Sequence, residues 1–250
     1  MSTISASFAQ NTFFISESPM PRKKLWLSWS SGKDSAWSLH VLRKSDEYEV
    51  VALLTTINDG AKRVAMHAVR EAVLEAQAAA AGLPLVKVPI PPQCPNAVYE
   101  EAMGRAMARA RTEGVYDVAF GDLFLEDIRR YREEKLRAVR MNPIFPVWGI
   151  ETRALANKMV ASGLRAVLTC VDPKQLDAKF AGRIFDENLL AELPPSVDPC
   201  GERGEFHTFA YAGPMFAAPV AIRVGEVVVR DGFVFADVLP GDVAHAGAAV

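Results

Sequence analysis

From residue 23 onward, strand-like and helix-like stretches alternate, and nothing else in the chain constrains its fold as much. The apolar start Leu25-Trp26-Leu27 runs through a small-residue turn into the helix-like Ala36–Leu42. Tyr48–Ile57 is β-branched and apolar, as a buried strand requires. Met66, Val69, Val73, Ala76 and Ala80 recur at three- and four-residue steps, which predicts a helix to about Ala81, ended by Gly82. Leu85–Ile90 reads as the next strand, and Pro91-Pro92 and Pro95 break the chain. Asn96–Glu113 then reads as helix, Asp117–Phe120 as a short strand ending at Gly121-Asp122, and Glu126–Arg140 as a charged helix. Repeated βα units predict an α/β fold: a parallel sheet with helices on both faces, its ligand site at the carboxyl ends of the strands.

The pattern changes after Pro143. Pro146-Val147-Trp148-Gly149 predicts a turn, Thr152–Ser162 a helix and Arg165–Val171 a strand. Loop-rich stretches follow around Pro194–Gly204 and Gly213–Pro219. Short strands are predicted at Val220–Val224, Glu226–Arg230 and Phe233–Val238, with Asp231-Gly232 as a hairpin turn. The expected organisation is a loose arm over residues 1–22, a sheet domain over 23–144, a smaller α/β domain over 145–240 and a mobile tail over 241–250.

The first strand–helix junction is Trp29-Ser30-Ser31-Gly32-Lys33-Asp34-Ser35. A small-residue turn before a helix presents free N–H groups and the positive end of the dipole, an anion site. Lys33 adds a cation, and Ser30, Ser31 and Ser35 add hydroxyls, so phosphate or pyrophosphate is the expected ligand. The common P-loop is excluded: Leu27 stands where that pattern needs glycine, and aspartate rather than serine or threonine follows the lysine. The bland alternative is a capped helix, because Ser31 and Asp34 have capping-box spacing.

Half of the 250 residues are apolar, enough for a sizeable core, and the net charge of -2 gives no general attraction to nucleic acid. Cys94, Cys170 and Cys200 lie far apart and form neither a zinc pattern nor a disulfide framework. No secretory core and no run of membrane-spanning length is visible, so a cytoplasmic protein is expected.

Further groups could carry chemistry. His67 opens the second helix and could touch a nucleotide or merely cap the helix. Asp122, after a strand, could hold magnesium or a nucleotide hydroxyl, or cap the next helix. Arg132 sits on a mixed-charge helix and suits phosphate or carboxylate. The loop Asp198–Phe209 crowds Cys200, Gly201, Glu202, Gly204, Glu205, His207 and Thr208 together, a density that a plain connector does not need. Cys200 has no evident base and reads as a bystander thiol.

Taken in order, Trp29–Ser35, Met66-His67 through Arg70, Gln77–Leu85, Gly121-Asp122-Leu123, Pro146-Val147-Trp148 and Gly201–Thr208 resemble the diphthine–ammonia ligase family. The junction resembles the pyrophosphate loop of the N-type ATP pyrophosphatases, Ser-Gly-Gly-Lys-Asp-Ser, with Ser31 in place of the first glycine. The Gly-Glu-x-Gly-Glu-Phe-x-Thr segment makes the resemblance specific. It implies a Rossmann-like ATP domain of the adenine nucleotide alpha hydrolase type, followed by a family-specific substrate domain. It implies that a substrate carboxylate, small or protein-borne, is adenylated with release of pyrophosphate, and that ammonia or an ammonia donor supplies the amide nitrogen.

On this resemblance, Ser30, Ser31, Gly32, Lys33, Asp34, Ser35, His67, Gly121 and Asp122 would bind ATP. Asp34 or Asp122 would hold Mg2+. Lys33, Asp34, Glu202, Glu205 and His207 would be catalytic. Arg132, Gly204, Glu205 and Thr208 would meet the substrate. His207 stands where the eukaryotic and archaeal ligases carry glutamate, which resembles the bacterial branch. Two other readings remain open: a tRNA-modifying adenylating enzyme, against which charge and isolated thiols count, and an ATP-binding sensor without turnover. Pairing with a second copy is left open as well.

Overall fold

The computed structural model describes residues 21–58, 63–64 and 69–241. Nearly all of the expected tail and arm, and the predicted nucleotide contact His67, lie outside the described residues.

The first sheet is built from β1 (Lys23–Ser28), β2 (Tyr48–Asn58), the two-residue β3 (Arg63–Val64), β4 (Leu85–Ile90), β5 (Asp117–Ala119) and β6 (Asn142–Ile144). Five of these strands are parallel, in the order β4-β2-β1-β5-β6; β3 pairs antiparallel with the end of β2. The connections are α1 (Lys33–Arg43), α2 (Glu71–Ala81), α3 (Asn96–Thr112) and α4 (Glu126–Ala138). Central strand β1 is buried on both faces, as a parallel sheet covered by helices demands. Leu25 and Leu27 join a cluster with Leu39, Val73 and Leu74, whereas Trp26 joins Val86, Met107, Val118 and Leu136 on the other side. Each fully buried side chain of this kind contributes about 1.5–3 kcal/mol.

The second sheet is antiparallel and follows α5 (Thr152–Ala161). It comprises β7 (Arg165–Val171), β8 (Ile184–Phe185), β9 (Phe206–Ala212), β10 (Ile222–Arg230) and β11 (Phe233–Pro240), with the short α6 (Glu187–Glu192) between β8 and β9. Strand β7 is central and pairs with β8, β9 and β11. The cluster holding Leu25 and Leu74 continues into Leu168 and Phe209, so the two sheets share one buried interior. Among the described residues no helix is long and apolar enough to cross a membrane.

Most predicted elements stand; β3, β6, β8 and α6 answer to no predicted element, and three further differences concern α2, β10 and β9. Helix α2 starts at Glu71 rather than near Met66, because Arg70 is extended (φ -65, ψ 142). The strands predicted at Val220–Val224 and Glu226–Arg230 are one strand, β10, with a register shift between Val224 and Val227. Phe206–Ala212, which follows a loop-rich stretch, is β9, and it carries part of the site.

Candidate active site

Strand order reverses at β1, whose neighbours β2 and β5 lead to opposite edges of the sheet. Beyond the carboxyl ends of β1 and β5 lies a cavity of about 290 Å³. Its floor is the junction between β1 and α1, where Ser30, Lys33, Asp34 and Ser35 line it. Gly32 is the N-cap of α1 and supplies no side-chain cap, so the capping-box alternative fails. The cap comes instead from the second sheet: the N–H of Lys33 donates to Thr208 Oγ1 at 3.1 Å. Ser35 Oγ donates to the Gly32 carbonyl at 3.0 Å and lies 3.2 Å from Ser30 Oγ.

Ser31 has φ +70, the left-handed region. Glycine is favoured there, and serine costs about 1–2 kcal/mol more. The Ser31 carbonyl is held by two donors, the N–H of Ala210 at 2.9 Å and Gln77 Nε2 at 2.9 Å. Gln77 is fully buried; its Nε2 also reaches the Ala210 carbonyl at 2.6 Å, and its Oε1 accepts from Trp29 Nε1 at 2.8 Å. This amide fastens the loop to β9. Sequence reasoning assigned Gln77 no role; its signal is an uncharged polar residue on the buried stripe of an alanine-rich helix.

Lys33 is 1% exposed. Its ammonium contacts both Asp34 oxygens, at 2.8 and 3.0 Å, and donates to the Cys200 carbonyl. It also lies 5.5 Å from the ring centres of Phe185 and Phe206. Burial is the largest influence and lowers its pKa, but Asp34, Cys200 and Glu202 together outweigh burial and raise it, so Lys33 is held as a buried cation. Gly121 closes the floor. A Cβ there would stand 3.0 Å from the Asp34 carbonyl carbon and 3.1 Å from the Ser35 nitrogen, so any other residue would have to push that backbone back by a few tenths of an ångström.

Asp122 and Arg132 both line the cavity and form a two-pronged pair, Nε–Oδ2 at 2.5 Å and Nη2–Oδ1 at 3.0 Å. Asp122 therefore caps no helix; the N-cap of α4 is Leu125. Among the described residues no group of three or more His, Cys, Asp or Glu side chains is gathered for a metal ion. The two predicted magnesium ligands, Asp34 and Asp122, line the same cavity, but each already faces a cation.

The Asp198–Thr208 loop forms the opposite wall. Asp198 orders it: Oδ1 accepts from the N–H groups of Cys200 and Glu202, and Oδ2 accepts from the Thr152 hydroxyl at 2.7 Å. Gly201 has φ +69, and a Cβ there would lie 2.7 Å from the Phe206 carbonyl oxygen. Glu202, Gly204, His207 and Thr208 line the cavity. Glu202 Oε1 accepts from the Leu123 N–H at 2.8 Å. Burial first, then the nearby Asp34 and Asp122, push its carboxyl up to about 7 despite that bond. Burial, with Lys33 nearby, lowers the His207 pKa and keeps its imidazole neutral at pH 7.

Glu205 needs correction as a catalytic and substrate-contacting residue. It is 1% exposed and does not line the cavity. Its oxygens accept from the N–H groups of Asp198 at 2.8 Å and Arg203 at 2.9 Å, so it closes the loop upon itself. Ser31 and Gly32, expected to contact ATP, shape the floor without lining the cavity. Cys200, read from the sequence as a bystander, lines the cavity; burial pushes its thiol pKa up, and Sγ faces the Thr152 carbonyl at 3.4 Å.

Residues 23–142 match the family model described as the diphthamide synthase N-terminal domain, and residues 151–235 match the diphthamide synthase C-terminal domain. Among curated proteins named diphthine–ammonia ligase, that of Homo sapiens is 30% identical over 132 residues, covering 50% of this chain and 49% of the relative. That of Danio rerio is 33% identical over 120 residues, covering 46% and 47%. That of Mus musculus is 28% identical over 152 residues, covering 58% and 57%. The chain spans about half the length of the curated relatives it matches. Both domains being present in order, the chain belongs to the diphthamide synthase family.

Proposed function

We propose that this protein is an ATP-dependent ligase that converts a carboxylate into an amide through an acyl-adenylate. One observation carries the reading: the serine-rich helix start and the Glu202–His207 loop, from opposite halves of the chain, face one cavity. The names of the relatives support the same chemistry.

In the first step a carboxylate oxygen attacks the α-phosphorus of ATP. The bond from that phosphorus to the bridging oxygen breaks, and pyrophosphate leaves with the electron pair. Charge grows on the departing pyrophosphate, where the N-terminus of α1, the hydroxyls of Ser30 and Ser35 and the cation of Lys33 would stabilise it. Gly121 puts no side chain against the backbone at the start of α1. In the second step the ammonia nitrogen attacks the acyl carbon and AMP departs. The nitrogen sheds a proton, which Glu202, poised near 7, or neutral His207 can take.

Asp34 and Asp122, on exchanging Lys33 and Arg132, would supply the one or two carboxylates that a phosphate-bound magnesium ion takes. Magnesium there would supply charge neutralisation at the phosphates.

The test is to incubate the protein with ATP, magnesium, hydroxylamine or ammonium, and a metabolite extract, and to separate the nucleotides. AMP with pyrophosphate, lost in Asp34→Ala, is the expected result. ADP with phosphate would reject adenylation, and bound ATP left intact would favour a sensor.

A further inference from the structure

A second cavity, of about 240 Å³, lies between α3 and α4, with Met103, Met107, Leu136 and Val139 in its wall. Phe120 and Arg132 line both cavities, so the two adjoin. Helix α3 presents Gly104 to this space. A methyl group built on Gly104 meets no atom within 4 Å, so packing does not require glycine there. Yet glycine in a helix interior costs about 1 kcal/mol relative to alanine. The unclaimed volume is that of the cavity itself.

Charge is placed at the edges of this apolar space. Arg132 stands at the junction, its guanidinium 4.3 Å from the Phe120 ring centre. Its pair with Asp122 uses Nε and Nη2, and a guanidinium has five N–H donors, so others remain for a second carboxylate. Lys135, paired with Glu100 at 2.5 Å, also lines the cavity.

We propose that the α3–α4 cavity is the acceptor's subsite, and that the acceptor is a carboxylate bearing an apolar group. The acid end meets Arg132 at the junction, within reach of the nucleotide cavity. The apolar group fills the space left by Gly104, against methionines whose flexible thioethers adapt to its shape. This inference rests on the ligase reading for the step that follows binding, though binding itself can be measured without turnover.

The experiment titrates butyrate, hexanoate and octanoate into the protein by calorimetry, with a non-hydrolysable ATP analogue present. Affinity is expected to rise about fourfold per methylene until the cavity is filled. Gly104→Phe should cancel that rise while ATP-analogue affinity stays at the wild-type value. Met103→Trp fills the same space from the next position and serves if Gly104→Phe does not fold. Affinity independent of chain length, or a rise that survives both filling variants, overturns the subsite. A parallel incubation of the same acids with ATP, magnesium and ammonium reads AMP; length-dependent binding without AMP formation keeps the subsite and rejects the ligase reading. AMP formation with length-independent binding does the reverse.

Discussion

Replacing Gln77 by leucine tests whether one buried amide holds the loop to the second sheet. Leucine nearly conserves the volume and deletes both amide groups. The buried Trp29 Nε1 loses its acceptor, the Ala210 carbonyl loses a donor, and the Ser31 carbonyl keeps only the Ala210 N–H. An orphaned buried polar group costs about 1–3 kcal/mol, so the Trp29 N–H and the two weakened carbonyls together cost about 3–5 kcal/mol. For a chain of this size that lowers the melting temperature by about 6–20 °C. Glutamate at the same position is the sharper probe. It keeps the acceptor for Trp29 but sets its second oxygen against two carbonyl oxygens, so it must hold a proton to bond. Its folded pKa is then raised above the unfolded value of about 4.3, and the stability it retains in acid is lost as the pH rises. Thermal unfolding at pH 5 and pH 8 measures both effects. A leucine variant within about 1 kcal/mol of wild type, or a glutamate deficit that does not grow with pH, refutes the reasoning.

Three further outcomes are expected. Glu202→Gln keeps the acceptor for the Leu123 N–H but cannot ionise. The wild-type carboxyl is raised from 4.5 to about 7, so wild type loses stability across that window and the variant does not; the melting difference should move in the variant's favour from pH 4.5 to 7 and then level. Gly121→Ala presses a methyl against the backbone of Asp34 and Ser35, costing about 1–3 kcal/mol and weakening ATP binding in a nucleotide titration. Lys33→Met breaks a buried pair and strands Asp34, so lost turnover should come with a loss of about 3–5 kcal/mol in urea unfolding; wild-type stability would contradict the buried pair.

The parallel sheet was legible because its strands are short apolar runs separated by amphipathic helices, a periodic signal. The placement of Ser30, Lys33 and Asp34 at one cavity was legible because it follows from their own positions at a strand–helix junction. Glu205 misled because a carboxylate in a glycine-rich loop looks the same whether it faces a ligand or the backbone of Asp198 and Arg203. The partnership of Gln77 with Trp29 and Ala210 joins residues 48 and 133 positions apart, which no local pattern encodes. Strand β9 was missed because its partner β7 precedes it by some forty residues and the stretch before it is rich in turn formers.

The bond from Lys33 to Thr208 spans 175 positions. During synthesis at roughly 5–20 residues per second, about 9–35 s separate the two residues on the ribosome. Throughout that interval the nascent loop has neither its cap from Thr208 nor the clasp at Ala210. A chain stalled before Phe206 should therefore be unable to retain nucleotide, however well its first sheet has formed. On the proposed ATP site, the fold would tie nucleotide capture to completion of translation through the second sheet.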